Sequence, residues 1–387
     1  MDEAIAAGTQ TKLPAALAEP TAPVRGGWVT LLFLANIGLW LGIYAPIQVL
    51  LPEQVASLHD HVSKNGVPSG ADAVLLSVVM GVGAIAGVIA NPLVGALSDR
   101  TTHARGRRHP WTLGCAVLAA AGIAVVAASP SVAVMAIGWF VAELGLGGML
   151  ATLTAALPDR VPVRQRGTLG ALIGISQMLG TVLGALLVTV LITRMSAGYA
   201  ACAVIVVAFA AAFTLRTPDE PLPAAFKPEH AVSTALRRLW VSPRAYPDFA
   251  WGWVTHFLVN LGNDLGTLYL LYFLARGAHY HDPQTGLLIL MALYAVALLA
   301  AGSVLGAGFG TYWAAAPALL TQVLPAAVDR GKDVGIINMG YNLPLVVAPL
   351  AAGVVLGLMN SYQALFALSG FATVMAVVTV SRVRSVR

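Results

Sequence analysis

Charge is what this sequence has least of. Only 10% of its 387 residues are Asp, Glu, Lys or Arg, against about a quarter in soluble domains, so an ordinary soluble fold is excluded. Cysteine is nearly absent too. Cys115 and Cys202 are the only two, both fall in apolar runs, and no disulfide framework follows. Short segments of alternating polarity are missing, which excludes a membrane β-barrel. There is no Walker loop, no zinc-ligand spacing and no nucleophile elbow, so no enzyme site is expected. His59 and His61 flank Asp60 in a loop, a weak basis for a metal site. What fills the chain instead is apolar: 58% hydrophobic residues and a mean hydropathy of +0.79. Runs of about 20 apolar residues recur, each long enough to cross a ~30 Å hydrocarbon core as a helix. The composition describes an all-α polytopic protein whose first partner is the lipid bilayer.

Helices are expected over 28–51, 73–97, 111–128, 132–157, 168–193, 198–215, 249–275, 285–323, 334–358 and 362–380, ten spans in all. With the N-terminus inside, 19 of the 22 Lys and Arg fall in cytoplasmic segments, and only Lys64, Arg194 and Arg276 fall outside. Such a bias fixes orientation and places both termini in the cytoplasm. It also accounts for the net charge of +5 by topology rather than by nucleic-acid binding. Residues 1–27 read as a loose cytoplasmic tail, since they lack the basic start and apolar core of a signal peptide. A first bundle follows over 28–215, then a linker rich in Pro and charge over 216–248, then a second bundle over 249–387.

The two bundles share sequence. FLANIGLWLG (Phe33 to Gly42) and FLVNLGNDLG (Phe257 to Gly266) agree at six of ten positions, including the Asn and both Gly. GALIGISQ from Gly170 lies over GIINMGYN from Gly335, with Gln177 over Asn342. Parallel six-helix repeats are the arrangement of major facilitator transporters.

Two longer stretches make the resemblance specific. GALSDRTTHARGRRHP (Gly95 to Pro110) resembles the signature loop between helices two and three of the major facilitator superfamily. Together with QVLPAAVDRGKDVGIINMGYNLP (Gln322 to Pro344), it resembles the glycoside–pentoside–hexuronide and sucrose-type sugar:cation symporters. The resemblance implies a secondary transporter working by alternating access in the cell membrane. It implies a small polar solute such as a sugar as the other partner, with no cofactor beyond a driving cation, H+. A drug:proton antiporter is the alternative within the class. The second half departs from the pattern, lacking the signature loop and running some 60 residues shorter. Helices resembling eight and ten read as fused at 285–323, so the fold expected is the major facilitator fold with a shortened second repeat. A transport-inactive scaffold is the reading from another class.

Candidate residues fall into three groups. Gly95, Asp99, Arg100, Gly106, Arg107 and Arg108 form the gate loop that the resemblance implies, with Asp99 meeting the positive end of the helix starting near Val334; a plain orientation signal is the bland alternative. Asp264 and Glu143 are mid-span acids, and His256 lies two turns before Asp264. An acid in mid-span costs about 2.5–3.5 kcal/mol on insertion scales and by default marks a functional site, here proton coupling. A neutral acid serving as interhelical glue is the alternative. Asn36, Trp40, Tyr44, Gln177, Asn260, Asn263, Asn338 and Asn342 are the candidate substrate contacts, with Tyr269, Trp313 and Tyr341 as further aromatics at similar depth. An aromatic stripe also suits plain packing, whereas amides in a bilayer need partners. Gly170, Gly174, Gly180 and Gly184 suit close helix packing.

Overall fold

A computed structural model describes residues 14–58, 70–227, 244, 246–270, 273–290, 292–293, 330–359 and 361–383. Nine long helices account for most of them: α1 Gly26–Leu58, α2 Gly70–Asp99, α3 His109–Ala127, α4 Val132–Arg160, α5 Val163–Leu186, α6 Met195–Arg216, α7 Pro247–Thr267, α8 Arg330–Met359 and α9 Tyr362–Val380. No strand occurs among the described residues. Eight of these helices are long and apolar enough to span a membrane. The exception is α7, which carries His256, Asn260, Asn263 and Asp264.

Most of the expected 285–323 helix lies outside the described residues, apart from a helical stretch over 283–290. Trp313, His59, Asp60 and His61 lie outside them as well. Single π-helical turns interrupt α1 at Pro46–Leu50, extend α5 at Leu187–Leu191, and follow α7 at Phe273–Gly277.

Polar residues at the ends set where helices start. Ser131 and Ser361 accept bonds from Val134 and Ala364, capping α4 and α9, as hydroxyls do at N-caps. Pro110 and Pro247 open α3 and α7, where a missing N–H costs nothing. Small residues then decide which helices meet. Gly122 of α3 packs on Ala142 of α4, and Gly145 of α4 on Ala119 of α3. Gly180 of α5 packs on Trp40 and Ile37 of α1, and Gly184 on Ala45, so these two glycines serve close packing as expected.

In the first half, α1 packs on α5 and α6, and α4 on α2 and α3. In the second, α7 packs on α8 and α9. The halves meet mainly along α2 and α8. One end of the bundle collects the basic residues of loop 100–108, the α4–α5 turn and the start of α8. This is the basic end.

The tail expected to be loose makes specific contacts between Ala16 and Val24. Ala16 and Leu17 are buried against Leu222, Val24 N–H donates to Gln165 Oε1 at 3.2 Å, and Glu19 pairs with Arg166. The reason is that the segment leaving α6 supplies an apolar residue, Leu222, on which Ala16 and Leu17 can close.

Candidate functional site

At the basic end, Asp99 terminates α2 and caps α8. Its carboxylate accepts from Gly331 N–H and Lys332 N–H, each at 3.0 Å, so a negative charge meets the positive end of a helix dipole. Gly95, one turn earlier, lies against the Gly331 carbonyl so closely that a Cβ would collide with it. Arg108 joins the two acids of the cluster: Nη2 reaches Asp99 at 2.7 Å and Nε reaches Asp159 at 2.9 Å, while Nη1 donates to Ser98. Arg107 Nη2 reaches Asp159 at 2.6 Å. All four charged residues are buried. Burial alone would pull the Arg108 guanidinium down, but Asp159 and Asp99 outweigh it and hold the group above its ordinary value. Removing either carboxylate would therefore strand a buried charge.

Gly106 has a φ of +94°, a left-handed backbone that glycine adopts at no cost. Arg100 is half-buried and, among the described residues, joins none of these bonds. Asp159 is the member that sequence reasoning missed. Its only signal was an acid beside Arg160 at the very end of a span.

Midway along the bundle a second cluster forms between the halves. Tyr44 of α1 and Tyr341 of α8 join hydroxyls at 2.9 Å. Gln177 of α5 donates to Tyr44 at a long 3.5 Å. The Trp40 ring meets Tyr341 edge-on at 4.9 Å. Asp264 is fully buried, and Tyr341 lies within electrostatic reach of both Asp264 and Glu143. Among the described residues, Asn263 Nδ2 donates to Asp264 Oδ1 at 3.3 Å and Asp264 Oδ2 has no hydrogen-bond partner. Trp40 Nε1 is likewise buried without one. Glu143 of α4 and Asn342 of α8 come together on the bare backbone of Gly87, with Glu143 Oε2 at 3.5 Å and Asn342 Oδ1 at 2.9 Å from where a Cβ would stand.

The remaining amides serve the backbone first. Asn36, Asn260 and Asn342 each donate to the carbonyl four residues back, at 2.9, 2.7 and 3.2 Å. Asn338 reaches Thr154 across the halves at 3.4 Å. His256 is buried against Gly340 of α8, with its ring near the Asn260 amide. Asn260 thus stands between His256 and Asp264 along one face of α7. Tyr269 reaches Ser77 of α2 at 3.4 Å.

Two helix ends from different halves thus meet through buried charge, and an acid-bearing polar cluster lies between those halves. The family model that matches the chain, described as Major Facilitator Superfamily, covers residues 30–303. The chain belongs to the major facilitator superfamily. It is a multi-pass membrane transporter of that superfamily, and its solute is a small molecule. No curated protein matches it in sequence. Among solved structures it is similar to the human organic anion transporter MFSD10 (TETRAN), at 19% identity and a TM-score of 0.66, over 93% of this chain and 100% of that one. It is also similar to the proton:xylose symporter XylE bound to 6-bromo-6-deoxy-D-glucose, at 14% identity and a TM-score of 0.64, over 93% and 97%. At such identities the likeness concerns the fold.

Proposed function

We propose that this transporter carries a small polar solute, a sugar or a close relative, coupled to protons, across the cell membrane with its basic end in the cytoplasm. One observation carries the reading: Asp264, fully buried at the meeting of the halves, with an oxygen that has no partner among the described residues. No Lys or Arg among the described residues pairs with it or with Glu143. A buried acid without a counter-cation is cheapest when protonated, and it becomes worth ionising only when water or solute reaches it. Opening the centre to one side would load or release that proton. Gln177, Tyr44, Tyr341 and Asn342 supply the polar groups, and Trp40 a flat apolar wall, the mixture typical of small-molecule sites. The clasped basic end supports reading the structure as the state shut toward the cytoplasm. Membership of the sucrose-type branch and a shortened second repeat belong to the same proposal.

The test is uptake of radiolabelled monosaccharides and disaccharides into proteoliposomes, with and without an inward proton gradient. Accumulation should need the gradient, and Asp264→Asn should abolish accumulation while leaving exchange of labelled for unlabelled solute. Accumulation indifferent to both gradient and substitution would end the coupling claim. A second reading, exchange of an apolar organic cation for protons, is favoured by the two acids beside the Trp40, Tyr44 and Tyr341 rings, which suit a cation. Gradient-driven efflux of tetraphenylphosphonium, unaffected by sugars, would select it.

A further inference from the structure

Helix α3 begins without a cap of its own. Arg108 occupies the cap position but offers no side-chain bond to the first turn, and that turn carries no acid. The exposed N–H groups are met from far along the chain. Asp219, on the segment leaving α6, accepts through one oxygen from Arg108 N–H at 2.6 Å and from His109 N–H at 3.0 Å. The same carboxylate presses against Gly106, where any Cβ would run into it. Its neighbours hold the segment down. Thr217 Oγ1 meets His109 Nε2 at 3.2 Å, Glu220 pairs with Arg160 at 2.7 Å, and Leu222 is buried with Ala16 and Leu17.

We infer that Asp219 is a positioning residue for the gate at the basic end. By fixing the left-handed turn at Gly106 and the first turn of α3, it aims Arg107 and Arg108 at Asp99 and Asp159. The segment leaving the first bundle thereby sets how firmly that end is shut. An acid at a helix start both satisfies free N–H groups and complements the dipole. The arginines it positions are the ones whose loss would strand Asp99. The inference rests on reading the Asp99 cluster as a gate, and the experiment separates the two.

The reporter is Thr154→Cys, which sits beside Asn338 across the halves, in a chain with Cys115 and Cys202 changed to Ser. Its rate of reaction with a polar maleimide in the purified, folded transporter measures opening at the basic end. Asp99→Ala should raise the rate; no rise there sinks the gate reading itself. With that rise in hand, Asp219→Ala should raise the rate about fivefold, the size of a lost helix cap. Asp219→Asn, whose carbonyl can accept the same two bonds, should stay within about twofold of the parent. An Asp219→Ala rate equal to the parent's would overturn the assignment, because a merely structural role lowers the unfolding midpoint without exposing Thr154→Cys in folded protein. Equal rates for Asp219→Asn and Asp219→Ala would overturn it too, making charge rather than capping the operative feature. Should Asp219→Ala not fold, Asp219→Ser, too short to span both amides, takes its place with the same expected rise.

Discussion

Phe33–Gly42 in α1 and Phe257–Gly266 in α7 are two copies of one packing device, and only the second carries an acid. In both, the Asn amide turns back to the carbonyl four residues earlier, Leu32 in one copy and His256 in the other. In both, the glycines seat the helix on a neighbour: Gly38 and Gly42 on Phe209 and Val206 of α6, Gly262 and Gly266 on Thr373 and Ser369 of α9. The shared glycines therefore hold a helix pair together in each half, while the shared Asn bonds back along its own helix. Of the four unshared positions, one faces the other way, and there the first copy puts Trp40 and the second Asp264. A repeat kept for packing leaves its inward face free to diverge, with a donor-bearing ring on one side and an acid on the other.

The copies differ again where the later repeats begin. Gly331 and Lys332, at the start of α8, are covered by Asp99 and Arg108. The corresponding start of α5, at Arg166 and Gly167, is bound by Glu19 through the Arg166 side chain, and among the described residues nothing lies within 4 Å of where a Cβ on Gly167 would stand. The largest effect should come from breaking this asymmetry. Asp99→Ala leaves two arginines sharing one acid and two helix N–H groups bare, a loss of about 3–5 kcal/mol for a broken buried ion pair. Glu19→Ala, at an exposed acid, should cost under about 1 kcal/mol. Unfolding midpoints of the two variants in detergent check this, and equal midpoints would mean that the ends are equivalent.

Glycine substitutions should come next, and they should cross over. Alanine at Gly262 meets the Ser369 carbonyl at 3.0 Å, whereas at Gly38 it meets the Phe209 side chain at 3.2 Å. At the second glycine the order reverses, with Val206 at 2.6 Å from the Cβ added at Gly42 and the Ser369 hydroxyl at 3.3 Å from the Cβ added at Gly266. Overpacking costs about 1–3 kcal/mol, so Gly262→Ala and Gly42→Ala should be the destabilised pair, and Gly38→Ala and Gly266→Ala the tolerant one. Thermal unfolding of the four would break the comparison if the ranking followed the copy rather than the contact.

How far the sequence reveals this site depends on how each residue acts. Asp264, Asn36 and Asn260 are legible because helix periodicity and the repeat put them on definable faces, and because an acid inside an apolar run is conspicuous. Asp99, Arg107 and Arg108 are legible through a local motif. Asp159 and Asp219 were not. Each works through contacts with Arg108 made 51 and 111 residues away, and spacing reports only neighbours along one helix. The packed tail escaped notice for a similar reason. A segment of Ala, Pro and Thr looks loose until Leu222 arrives to cover Leu17.

The smallest effect sharpens the comparison most. Asn36 and Asn260 make the same bond, so Asn36→Ala and Asn260→Ala should each cost about 1 kcal/mol of stability, the usual worth of one hydrogen bond. Uptake should separate them. Asn260 stands one turn from Asp264 and beside His256, so Asn260→Ala should raise the solute concentration needed for half-maximal uptake about threefold to tenfold, within the range for one polar contact. Asn36→Ala should leave it near the parent value, because the residue one turn on is Trp40, whose ring is packed on Tyr341. Equal uptake defects would return both amides to the packing device.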